Sequence, residues 1–210
     1  MLEPGDWIGS IGRATWRDPW DWPLYRAMRT YAAARYRWPG AVVGITHVRL
    51  VLPGGLFFEA TVPRARILPL SDPGADLGRK LAQGRLRIAR WPGNAPNPAT
   101  IAAQAQNLAG APYDIGDLAD FALTGLVGAW GWLVTRGPIR IFGDKAGRYR
   151  VCSVAAAHLL SVGGVQFPLD IRGVDPNWPF NAWHEPCPHD WCPRDVTATI
   201  TPADFAGGPQ

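Results

Sequence analysis

The apolar positions of this chain switch period several times along its length. In "ITHVRLVL", Val48, Leu50 and Leu52 alternate with His47, Arg49 and Val51, the period of two that a strand requires. The run "LFFEATV" alternates likewise, with Phe58, Ala60 and Val62 on one side and Phe57, Glu59 and Thr61 on the other. Pro53-Gly54-Gly55 separates these two runs, so together they predict a hairpin. Shorter strands are predicted at Gly5–Ser10, in "ARILPL" and at Gly84–Pro92.

Helical patterning appears elsewhere. "LYRAMRTYAAARYRW", Leu24–Trp38, is rich in helix formers and stops before Pro39-Gly40. A second helix starts near Pro98 and closes at Gly110. Ile115–Val134 is apolar and reads as helical, and Val151–Val162 forms another helix. In "TITPADFA", Thr201 as N-cap, Pro202 at the first position and Asp204 at the third predict a capping-box helix start. A few strands, mostly in antiparallel arrangement and with helices at both ends, give an α+β class.

Bulk properties narrow the function. Among 210 residues, 47% are apolar and 18% charged, enough for one domain with a real core and too apolar for a disordered tail. The net charge of +4 is modest and spread out, which argues against nucleic acid as a partner. The opening "MLEPGDWIGS" has no basic and apolar leader pattern, so no signal peptide is expected. The longest uncharged apolar run, Phe121–Val134, is short of the roughly 20 residues that span a bilayer. A cytoplasmic protein, or one incorporated into a particle such as a virion, without a transmembrane anchor, is expected.

Candidate chemistry centres on "YRVCSVAAAHLL", Tyr149–Leu160. Cys152 admits two readings: a small buried hydrophobe, or a nucleophile whose thiol pKa is lowered at a helix N-terminus. His158 lies six residues on, about 240° around the helix, so it points away from Cys152. His47 is the better partner, although a solvent-facing strand histidine fits the same pattern. With a three-residue loop, His47 faces Thr61, and Glu59 is its diagonal neighbour on the same face. Such neighbours are roughly 7–8 Å apart at Cα, so Glu59 could orient the imidazole, or be an ordinary surface carboxylate.

The tail "WHEPCPHDWC" carries His184, Cys187, His189 and Cys192. Two unlinked thiols are the first reading, with a Cys187–Cys192 disulfide or a zinc cluster as alternatives. Gly125, Gly128 and Gly131, with Trp130 and Trp132, suit core packing, a partner surface or a membrane-touching element.

In order, "GDWI", "THVRLVL", "FEAT", "GAPYD", "VCSVAAAHLL" and "TPADF" resemble the permuted papain-like amidases of the NlpC type. In that family a strand-borne His precedes the Cys helix. The resemblance runs from Gly5 to Phe205. It implies a circularly permuted papain-like fold whose antiparallel sheet packs against the cysteine helix. The catalytic domain would span 1–180, with insertions at about 16–39 and 115–148, and a Pro/Trp/Cys-rich tail at 181–210 would pack on it. It implies Cys152 as nucleophile, His47 as base, Glu59 as orienter, and Tyr113 and Asp114 as residues that shape the substrate site. No cofactor is implied. The implied reaction is hydrolysis of an amide in a peptide substrate such as peptidoglycan. Two departures stand out: Val154 replaces the usual Glu after Cys-Ser, and Arg49 replaces a usual Gly. They leave open an inactive, structural descendant that binds other assembly or virion proteins, as in a phage tail. A metal-stapled binding module on the tail is a further alternative.

Overall fold

A computed structural model describes residues 1–12, 45–91, 96–114, 152–165 and 194–206, with positions 116, 119 and 123. The expected helix over Leu24–Trp38 and the cluster His184, Cys187, His189 and Cys192 lie outside the described residues. So does nearly all of Ile115–Val134, of which positions 116, 119 and 123 are helical.

The described chain is α+β. Its strands are β1 (Trp7–Ile11), β2 (Ile45–Leu52), β3 (Leu56–Glu59), β4 (Arg66–Pro69), β5 (Leu86–Arg90) and β6 (Arg194–Asp195). They form one antiparallel sheet in the order β4-β3-β2-β1-β5-β6. Helices α1 (Leu77–Ala82), α2 (Pro98–Leu108) and α3 (Cys152–Val162) complete the fold, with 3₁₀ turns at Thr197–Thr199 and Pro202–Phe205.

The β2–β3 turn sets the register. Gly54 and Gly55 adopt φ of 74° and 69°, a region that glycine enters without steric cost. The resulting ladder pairs Leu50 with Phe58, Val51 with Phe57 and Leu52 with Leu56. Continued outward, it sets Arg49 opposite Glu59 and His47 opposite Thr61.

Apolar residues cover both faces of the sheet. On one, α2 and α3 pack over Trp7, Val48, Leu50 and Phe58. Helix α3 is buried over most of its circumference, and Ala155, Ala156 and Ala157 let it lie close to the sheet. Asn97 caps α2, its side chain accepting from the N–H groups of Ala99 and Thr100 at 3.0 and 3.2 Å.

The opposite face carries a second core, in which Ile8, Val51, Phe57 and Ile88 meet Leu77, Ile200 and Phe205. The cover is α1 and the C-terminal turns, neither of which leaves a clear amphipathic period in the sequence. Gly78 lets them meet, since a Cβ there would stand 3.3 Å from the Pro202 carbonyl oxygen. The expected capping box forms, with Thr201 and Asp204 bonded reciprocally, but it opens a 3₁₀ turn and not an α-helix. Beside it, the Thr197 hydroxyl accepts from the Ile88 N–H at 2.8 Å, tying the C-terminal segment to β5.

Candidate active site

The β1–β2 ladder carries one irregularity. Ser10 pairs with His47 and Ile11 with Ile45, so Thr46 is an extra residue on β2. Its effect is visible in burial: Ile45 and Val48, three apart, both enter the first core. Strict alternation forbids that. The bulge presents Thr46 and His47 together at the wall of one cavity.

Glu59 anchors the imidazole. His47 Nε2 lies 2.9 Å from Glu59 Oε2. The same oxygen meets Arg49 Nε at 2.8 Å, and Oε1 accepts from Arg66 Nε at 2.7 Å. Arg49 reaches Glu59 from the facing position on β2, and Arg66 is its ladder partner on β4. Burial by itself would raise the Glu59 pKa. The His47 hydrogen bond and the charges of Arg49 and the imidazole reverse this, with Arg66 adding to them, and hold it at about 2. Glu59 is therefore a fixed anion at any physiological pH. Arg49 is fixed in turn, donating from Nη1 to Ser10 Oγ at 2.7 Å.

Cys152 begins α3 and is buried, at 4% exposure. Burial pushes its thiol up, but hydrogen bonding and charge from His47, with the N–H groups of Val48 and Ser153, pull it below the ordinary thiol range. Burial and Arg49 act to discharge His47. Hydrogen bonds to Cys152 and Glu59 outweigh them, so its pKa is raised. Since Nε2 serves Glu59, Nδ1 is left for the sulfur. Both shifts favour a thiolate–imidazolium pair.

Tyr113 also reaches the cysteine. Its hydroxyl meets both the Cys152 sulfur and the Cys152 backbone N–H, and burial followed by the nearby thiolate drives its pKa far upward. The phenol is a permanent donor. Asp114 is buried beside it in sequence. His158 faces α2, where its Nε2 accepts from Gln104 Nε2 at 3.2 Å, away from the thiol.

The structure thus brings Cys152, His47, Glu59 and Tyr113 together. Sequence reasoning missed the clamps on Glu59. Arg49 registered only as a departure from a small residue, and Arg66 was not singled out. A period-two reading carried far enough to pair Arg49 with Glu59 could have found the first; the second needed the β3–β4 register. Val154 is buried on α3. Among the described residues no group of three or more His, Cys, Asp or Glu side chains is placed to hold a metal ion, and no helix is long and apolar enough to cross a membrane.

No protein-family model matches the chain, and no curated protein matches it.

Proposed function

We propose that this protein is a cysteine hydrolase of permuted papain-like architecture, cleaving an amide bond through Cys152, His47 and Glu59. The observation that carries this reading is a thiol at a helix start, hydrogen-bonded to an imidazole that a buried carboxylate holds at 2.9 Å. A core cysteine needs neither partner. The strand-borne His ahead of the Cys helix, and an antiparallel sheet packed on that helix, support the architecture.

In this mechanism the Cys152 thiolate attacks the carbonyl carbon, forming the S–C bond and moving the π pair to oxygen. In this reading the Tyr113 hydroxyl, which reaches the sulfur and the Cys152 N–H, donates to that oxyanion. Imidazolium His47 gives its proton to the leaving nitrogen as the C–N bond breaks. Neutral His47 then takes a proton from water, which attacks the thioester. The acid product leaves and the thiolate returns. Glu59 stays ionised and keeps the imidazole oriented and charged. A cell-wall peptide is the substrate that the sequence resemblance favours.

A thiol-directed acyl probe tests the reading on purified protein. Labelling confined to Cys152, abolished by Cys152→Ala and strongly reduced by His47→Ala, is expected. Labelling indifferent to His47→Ala would sink it.

A further inference from the structure

The cavity that His47 and Thr46 face has a volume of about 360 Å³, within the size range of small-molecule sites. Among the described residues its walls carry four cations, Arg49, Arg66, Lys80 and Arg85, against one carboxylate, Glu59. That carboxylate is already spent on His47, Arg49 and Arg66.

Lys80 and Arg85 differ from the other two cations. Neither forms an ion pair among the described residues. Arg85 Nε is buried with no acceptor among the described residues. Unpaired cations facing one another across a partly enclosed space cost stability, and so does a buried donor left unmade. Burial, then repulsion from Arg49 and Arg85, lowers the Lys80 pKa, which is the same crowding seen as proton affinity. They converge here because β1 pairs with both β2 and β5, and because α1 runs directly into β5.

We infer that this cavity, on the Glu59 side of the His47 imidazole, is a receptor for an anionic group, a carboxylate or a phosphate. His47 is the shared wall: it lines the cavity and bonds to the thiol. Arg85 offers a planar fork and Lys80 a point charge, a pairing suited to oxyanions. Anion binding here does not rest on the hydrolase reading.

The test is calorimetric titration at low ionic strength with inorganic phosphate and, separately, with glutarate. Each is run on the wild type, on Lys80→Gln, on Arg85→Gln and on the double variant. Saturable binding at one site is expected, weakened about tenfold or more by either single substitution, as loss of a charge-assisted bond implies. Tighter phosphate than glutarate identifies a phosphate group as the natural anion, and the reverse a carboxylate. Thermal midpoints of the unliganded variants should hold or rise, because each substitution removes an unpaired charge. Absence of saturable binding by both ions, or unchanged affinity in the variants, overturns the receptor. Labelling of Cys152 by a neutral acyl probe is measured in parallel. Labelling without anion binding removes the receptor and keeps the hydrolase; anion binding without labelling does the opposite.

Discussion

His47 Nε2 and Glu59 Oε2 lie 2.9 Å apart although twelve residues separate them in the chain. They occupy a diagonal of the β2–β3 hairpin, so a rigid sheet and not a loop fixes the imidazole. That placement has a measurable consequence at the thiol. His47 is the largest contributor lowering the Cys152 pKa, against burial that raises it. In His47→Ala, burial wins, and the alkaline-rising limb of iodoacetamide alkylation should move to higher pH. Each unit of that movement costs about tenfold in thiolate fraction at a fixed neutral pH. An unmoved limb would mean that the sulfur does not sense the imidazole.

Glu59 links the site to acid stability. Its folded pKa of about 2 lies below the ordinary 4.5. A depressed carboxylate contributes stability that is complete above the unfolded value and is lost as pH falls from about 4.5 towards 2. The lost contribution is on the order of 3 kcal/mol, at about 1.4 kcal/mol per unit. Denaturant titrations across that window should show a steep decline for the wild type. Glu59→Gln should start lower at neutral pH, with buried Arg49 stripped of its counter-ion, and decline less. Parallel curves would contradict the ion-pair network.

How much of this was legible beforehand follows from what each feature depends on. The hairpin, its three-residue turn and the His47–Glu59 diagonal are local, set by alternation and two adjacent glycines. The start of α3 at Cys152 is local too, as is the capping box at Thr201. The bulge at Thr46 is one extra residue in an otherwise regular strand and leaves no period to detect. Arg66 and Arg85 matter only through β3–β4 and β1–β5 pairing, which no short stretch encodes. The second core stayed hidden because its cover comes from six residues of α1 and two 3₁₀ turns, too short to announce a face.

In the proposed hydrolase Arg49 would act through Glu59 and His47, as a positioning residue. Its charge opposes protonation of His47. Arg49→Gln should therefore move the alkaline limb of hydrolysis, where imidazolium is lost, to still higher pH. Glu59 would remain bonded to Arg66 and His47. Turnover should nonetheless fall, because the carboxylate loses one of its clamps, and Arg49→Lys should recover part of the rate while returning the limb. A merely structural arginine would lower stability without shifting the limb.

Tyr113 separates nucleophilicity from transition-state stabilisation. Its hydroxyl meets both the sulfur and the N–H of Cys152, and it stays protonated throughout the working range. Alkylation of the thiolate develops no oxyanion, whereas amide cleavage does. Tyr113→Phe should therefore leave iodoacetamide alkylation within a few-fold of the wild type and lower kcat for an amide substrate by about 100-fold, the cost typical of losing one oxyanion donor. The thiolate itself keeps the N–H groups of Val48 and Ser153. Equal losses in the two assays would instead assign the hydroxyl to thiolate stabilisation, and no loss in either would remove it from the chemistry.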